Sequence, residues 1–203
     1  MSLLSELQLD ALTEIFNIGT GRAASSLSEI VGSEVILSVP RIQFFQSAEI
    51  NMALLLLDSP RLGAVKQTFS GPLQINAMLL FTEDRTLEIV RDMMGSQLST
   101  DELAEFEQEA MCELGNIILN ACMSAMSSMF NFTLRSSIPT YSIGPSEAIL
   151  KQIITQMDQP KILLLHIDLA IERHHSQGNL VFILSSTSLQ ELLTHIDHFI
   201  SNI

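Results

Sequence analysis

The chain has 203 residues, of which 47% are apolar, and a formal net charge of −13. This composition predicts a folded globular protein, and its acidity argues against binding to the phosphate backbone of nucleic acids, which needs basic patches. No apolar run reaches about 18 residues, the length of a membrane-spanning helix, and the N-terminal MSLLSELQLD lacks the basic segment of a signal peptide. We therefore expect a cytoplasmic protein that binds neither nucleic acid nor membranes.

The first half of the chain predicts a long helix, three strands and a short helix. Apolar residues recur at three- and four-residue spacings over about 8–31, which predicts a helix closed by Gly32. Gly19 and Gly21 each weaken such a helix by about 1 kcal/mol, which suggests a close approach by another backbone or by a partner. Strands are predicted over 34–44, 53–58 and 75–82, and the short helix over 84–95.

The second half repeats this order, with a helix from Asp101 to Phe130, strands over 132–139, 161–171 and 179–186, and a helix over 188–200. We predict an α+β fold with one domain over 1–203, built from two helix–strand–strand–strand–helix repeats at about 8–95 and 101–203. Pseudo-two-fold symmetry would join them into a six-stranded, largely antiparallel sheet covered by helices. The alternative is two separate small domains, which the short connector at 95–100 disfavours.

A four-residue motif occurs twice in the chain, and its second copy begins 99 residues after the first. The motif residues are Asp10, Glu14, Asn17 and Pro40 in the first copy and Glu109, Glu113, Asn116 and Pro139 in the second. Of the 29 aligned positions from Leu12 to Pro40, seven are identical between the copies. A repeat of this length predicts two copies of one structural unit, and therefore two equivalent sites.

The first three residues of each motif lie at i, i+4 and i+7, which places them on one face of a helix. Each helix would then present a carboxylate and an amide side by side. A carboxamide is neither acid nor base near neutral pH, but it has an acceptor oxygen and two N–H donors, so it suits the orientation of a water molecule. Phosphoryl transfer requires such positioning, and the neighbouring glutamate can pair with a lysine of a partner. Solvated surface residues are the alternative interpretation, which two copies in register make less favoured.

The pattern Asp/Ser-x3-Glu-x2-Asn-x22-Pro resembles the signature of the CheC/CheX/FliY family of phosphatases that act on phosphorylated CheY. The segments EIFNIGTGRAASSLSEIVG and CELGNIILNACMSAMSSMF look like the two active helices of a CheC-like protein. The resemblance implies that Asn17 or Asn116 enters the active site of a receiver domain and positions the attacking water. It implies that Glu14 or Glu113 binds the receiver's active-site lysine. The receiver would supply Mg²⁺, so no cofactor of the chain's own is expected.

The second copy departs from the family pattern at two positions. Glu109 stands where the family shows Asp or Ser, and Asn120 stands where Gly is usual. The first copy fits fully, and two alternatives stay open: both sites are active, or one is vestigial. A different hypothesis is a non-catalytic binding module that holds a receiver or a CheD-like deamidase, and a third is a degenerate sensory protein whose receiver lies outside chemotaxis.

Other chemically reactive side chains do not predict a site. His195 and His198 lie at i and i+3 on the last helix, but with no nearby Cys and only Asp197 and Glu191 close in sequence they are typical of surface histidines. The segment GTGR at 19–22 lacks the lysine and the spacing of a phosphate-binding loop. Cys112 and Cys122, ten residues apart on one helix, form neither a zinc site nor a disulfide.

Overall fold

The computed structural model describes residues 4–46, 59–94, 99–155, 159–171 and 174–201. The helices in these ranges are α1 (Glu6–Val31), α2 (Glu83–Met94), α3 (Thr100–Phe130), α4 (Ser146–Thr155) and α5 (Ser186–Ser201). The strands are β1 (Val35–Gln46), β2 (Arg61–Ser70), β3 (Gln74–Thr82), β4 (Arg135–Ser136), β5 (Thr140–Pro145), β6 (Lys161–Ile171) and β7 (His174–Leu184). None of the described helices is both long enough and apolar enough to cross a membrane.

Local hydrogen bonds define both ends of α1. The Ser5 hydroxyl accepts from the backbone N–H of Gln8, and the Gln8 side chain accepts from the backbone N–H of Ser5, so two otherwise unsatisfied donors are paired. Gly32 ends the helix in the left-handed conformation with φ of 73°, which glycine adopts without steric cost. The predicted C-terminal cap is therefore confirmed.

The second long helix, α3, uses the same devices with different residues. Its N-cap is Ser99, paired reciprocally with Glu102, and not the predicted Asp101. Asn131 ends the helix in the left-handed conformation with φ of 54°, 99 residues after Gly32. Asparagine is the residue that most readily replaces glycine at such a position, so the two helices end alike.

One antiparallel sheet joins strands from both halves of the chain. Its described strands follow the order β1-β6-β7-β3-β2, with β4 and β5 pairing side by side with the outer edge of β2. Every pairing among them is antiparallel. The α+β class and the antiparallel sheet are confirmed, but the prediction of six strands is wrong because seven lie within the described residues alone.

The two differences in strand content have physical reasons. The sequence pattern does not predict β2 because the polar residues Lys66, Gln67 and Thr68 interrupt its apolar alternation, although β2 lies inside the sheet. The predicted strand at 132–139 contains only the short β4, and regular pairing resumes after Pro139. The predicted strand at 53–58 lies outside the described residues.

The outermost of the described strands pair with their neighbours in matching registers. The pairs Ile36–Ala170 and Arg41–His166 at one end correspond to Arg135–Ser70 and Thr140–Lys66 at the other, with 99 residues separating the edge positions. Both ladders are interrupted at matching places, between Ser38 and Arg41 in β1 and at 137–139 between β4 and β5. The strand order also reads the same when the two halves are exchanged, if β4 and β5 together are matched to β1.

Apolar residues fill both faces of the sheet. The larger core lies between one face and the helices α1, α2, α3 and α5, where Phe16 stacks on Phe182 with ring centroids 5.3 Å apart. On the other face, Ile149 of α4 joins a smaller core and is 1% exposed. The helix α4 is not predicted, and because it lies between β5 and β6 the second half departs from the expected helix–strand–strand–strand–helix order. An apolar sheet face needs such a cover.

The helices α1 and α3 touch backbone to backbone at Gly19. A Cβ placed on Gly19 would lie 2.7 Å from the Cα of Cys122 and 3.1 Å from the carbonyl oxygen of Ala121. The predicted close approach is therefore confirmed for Gly19. A Cβ on Gly21 would meet nothing within 4 Å, so no backbone of the described residues approaches it, and an approach by a partner stays a prediction there.

Candidate functional site

The first motif presents its three helical residues to solvent. Asp10, Glu14 and Asn17 are all exposed on α1, whereas the intervening Ile15 and Phe16 are fully buried against the sheet. Within the described part of the chain, none of the three motif side chains makes a hydrogen bond or an ion pair. The backbone carbonyl of Asn17 accepts from the Thr20 hydroxyl at 3.2 Å, whereas no described residue bonds to its carboxamide.

The motif prolines lie where the edge ladders are interrupted. Pro40 falls within the irregularity of β1, and Pro139 lies between β4 and β5. Proline has no backbone N–H, so it costs least at a strand edge or an irregularity, and Pro40 lies at an irregularity of β1, whose one neighbour among the described strands is β6. The carbonyl oxygen of Pro139 lies 3.9 Å from the Cys112 sulfur, which links the second proline to the helix that carries the second motif.

The second motif borders an apolar groove. Glu109 and Glu113 are exposed on α3, and Asn116 is half-buried. The groove has a volume of about 610 Å³ and is lined by Ile30, Met93, Met94, Phe106, Glu109, Ala110, Cys112, Glu113, Asn116 and Pro139. The structure thus brings together all four residues of the second motif, with large apolar side chains beside them.

Asn116 belongs to a cluster of three carboxamides. Its Oδ1 accepts from the Nδ2 of Asn120 at 2.7 Å and from the Nε2 of Gln67 at 3.3 Å. Asn120 Nδ2 also donates to the backbone carbonyl of Asn116 at 2.7 Å, and Gln67 Nε2 donates to the backbone carbonyl of Ser137 at 2.9 Å. The amide of the second motif is therefore held by its own chain, unlike that of Asn17.

The corresponding positions at the first site carry no amide. Gly21 stands 99 residues before Asn120, and the buried Ile167 occupies in β6 the place that Gln67 has in β2. The sequence pattern singles out Asn120 as a departure. It does not single out Gln67, which is only 3% exposed in a strand that the pattern does not predict.

The remaining reactive groups lie in structural surroundings. Burial raises the pKa of the Cys112 thiol, and it raises that of Cys122 to about 12. His195 packs against the rings of Phe130 and Phe132, at centroid distances of 5.9 and 5.0 Å. No three His, Cys, Asp or Glu side chains of the described ranges cluster in a way that could hold a metal ion. The segment 19–22 lies inside α1, which excludes a phosphate-binding loop there.

The sequence comparisons find a similarity to the CheC-like family. The sequence model of the CheC-like family matches residues 7–43, which contain the first motif and not the second. The CheY-P phosphatase CheC of Bacillus subtilis (strain 168) is 22% identical over 187 residues, which span 86% of this chain and 85% of that protein.

Two solved structures share the fold over nearly the whole chain. Thermotoga maritima FliY has a TM-score of 0.79 and 20% identity, with 97% of this chain and 99% of that chain covered. The FliG–FliM complex from H. pylori contains a chain with a TM-score of 0.66 and 15% identity, with 94% of this chain and all of that chain covered.

Proposed function

We propose, from the confirmed resemblance of this chain to the CheC-like family, that it hydrolyses the aspartyl phosphate of a CheY-type receiver domain. The relative from Bacillus subtilis bears the name CheY-P phosphatase, which supports a phosphatase role in chemotaxis. The observation that carries the proposal is the exposed face of α1, where Glu14 and Asn17 lie side by side with no intramolecular partner among the described residues.

In the proposed reaction, Asn17 orients the attacking water. Such a water must direct a lone pair at phosphorus, so its hydrogens must point at acceptors. The Oδ1 of Asn17 can accept one of them, and its Nδ2 can donate to an oxygen of the receiver site. The protein thus contributes position and orientation, which are the main requirements of phosphoryl transfer. Asn116 would do the same at the second site.

The carboxylates beside these amides would dock the receiver. Glu14, or Glu113 at the second site, would pair with the active-site lysine of the receiver and bring the amide to the phosphoryl group. Asp10, Pro40, Glu109 and Pro139 would support the motifs, the acids on the same helix faces and the prolines at the neighbouring strand edges. Mg²⁺ would arrive with the receiver as part of the substrate.

The duplication of the two sites also stays a proposal. The matching registers of the edge strands and the matching ends of α1 and α3 support it. In this arrangement the exchange of the two halves maps Asn17 onto Asn116.

The test is the lifetime of a phosphorylated CheY-type receiver with and without the protein. We expect the double substitution Asn17→Ala and Asn116→Ala to reduce the stimulated dephosphorylation rate about 100-fold, since misplacement of a reacting group has costs of this size. The matched control is Ser25→Ala, an exposed residue of α1 outside the motif. Full activity in a folded double variant would refute the mechanism.

A second candidate function is a binding module without catalysis. The likeness to the chain in the FliG–FliM complex favours it, because that fold occurs there in an assembly with another protein. The partner would be a receiver or a CheD-like deamidase. Binding of a phosphorylated receiver without any change in its lifetime would favour this function over the phosphatase.

A further inference from the structure

We infer that Asn120 is a positioning residue that holds the carboxamide of Asn116 in an orientation unsuited to water activation, so that the second site is restrained by its own helix. The inference rests on the proposed function and specifies which of the two sites acts freely. It follows from the amide cluster at the second motif and from the absence of a matching amide at positions 21 and 167.

The orientation of the three amides follows from two backbone carbonyls. A carbonyl oxygen can only accept, so the group of Asn120 that meets the carbonyl of Asn116 must be its Nδ2. The group of Gln67 that meets the carbonyl of Ser137 must likewise be its Nε2. Both donors also point at one atom of the Asn116 side chain, which must therefore be Oδ1.

This arrangement uses the atom that the proposed mechanism needs. A carbonyl oxygen has two lone pairs, and the Oδ1 of Asn116 already receives two N–H donors. A water that must donate a hydrogen finds no lone pair free, while the Nδ2 of Asn116 can only donate. At the first site the Oδ1 of Asn17 receives no donor from the described residues, so it remains available.

The first test releases the second site. In an Asn17→Ala background, which leaves only the second site, Asn120→Ala removes the donor and keeps good helix propensity. We expect kcat for receiver dephosphorylation to rise about three- to tenfold, the rate equivalent of freeing one neutral hydrogen bond. KM for the phosphorylated receiver should change less than twofold, since Glu113 and the groove are untouched, whereas a merely structural role of Asn120 would lower kcat. Thermal unfolding checks that the variants are folded.

The reciprocal test restrains the first site. Gly21 lies four residues after Asn17, as Asn120 lies four residues after Asn116, and a side chain at Gly21 meets open space. Gly21→Asn supplies one donor, which competes with the water for the Oδ1 of Asn17, whereas Ile167 supplies no second donor and leaves one lone pair free. In an Asn116→Ala background, kcat should therefore fall by about threefold, because the added donor restrains the orientation of the Asn17 carboxamide. Gly21→Ala is the matched control, because it adds the Cβ without the amide and should leave kcat unchanged.

The outcomes separate the inference from the proposed function. If the Asn17→Ala and Asn116→Ala double variant keeps full activity, the proposed function fails and the inference falls with it. If that double variant is inactive but neither Asn120→Ala nor Gly21→Asn changes kcat, the inference alone is overturned. Opposite changes of kcat in the two tests, with KM nearly constant, support it.

Discussion

The contact between α1 and α3 at Gly19 allows a stability prediction with an internal control. A methyl group at position 19 would lie 2.7 Å from the Cα of Cys122, about 0.7 Å inside the closest ordinary contact between carbon atoms. The obstructing atoms belong to the backbone, so the two helices must separate. Overpacking of this kind costs about 1–3 kcal/mol, and the better helix propensity of alanine offsets about 1 kcal/mol. No flexible side chain can yield, so we expect a cost at the upper end of this range. After the offset, Gly19→Ala should lower the free energy of unfolding by about 2 kcal/mol.

Gly21→Ala provides the control within the same helix. Its Cβ meets nothing within 4 Å, so only the gain in helix propensity remains, and the free energy of unfolding should rise by about 0.5–1 kcal/mol. Urea denaturation followed by circular dichroism measures both values, and thermal midpoints should shift by about 2–4 °C per kcal/mol for a chain of this size. A Gly19→Ala variant as stable as the Gly21→Ala variant would show that the helices do not meet at this point.

Three further predictions follow from individual side chains. In the native protein, iodoacetamide should modify the half-buried Cys112 and leave Cys122 intact until unfolding, and a bound receiver should slow the reaction at Cys112. Equal modification rates of Cys112 and Cys122 by mass spectrometry would contradict this prediction. Burial and the nearby Arg41 hold the pKa of His166 below its usual value of 6.5, so the folded state binds this proton less readily than the unfolded state. The free energy of unfolding should therefore be greatest above about pH 6.5 and fall as the pH drops towards the lowered pKa; His166→Gln should flatten this dependence in denaturation at a series of pH values. Glu14→Gln, in an Asn116→Ala background, should raise KM for a phosphorylated receiver about three- to tenfold and weaken the salt dependence of KM, because a docking charge is lost. The control Glu29→Gln, at another exposed position of α1, should change neither KM nor its salt dependence.

Much of the fold could be predicted because its signals are local. The periodicity and the terminal glycine of α1 lie within a few turns of each other, and the apolar run of β6 has the length of a buried strand, so both elements were predictable almost to the residue. The helix α4 forms because the second face of the sheet needs a cover, and β2 forms because it pairs with strands on both sides. The local spacing of apolar residues indicates neither of these interactions.

The candidate site also has features that the sequence predicts and features that it does not. Two helix faces with an acid and an amide follow directly from the i, i+4 and i+7 spacing. The restraint on Asn116 does not, because Gln67 reaches it from a strand 49 residues earlier in the chain. Polar residues inside an unpredicted strand carry no signal of such a contact until the sheet order is known.

The strand order also determines when β1 can pair during translation. The first strand of the chain, β1, has its only described sheet neighbour in β6, whose last residue is Ile171. At translation rates of about 5–20 residues per second, β1 leaves the ribosome on the order of ten seconds before its neighbour exists. During that interval β1 and α1 can pack on each other, but the described sheet neighbour of β1 is missing. A pause in translation before β6 would therefore leave the backbone groups of β1 that pair with β6 open to aggregation for longer.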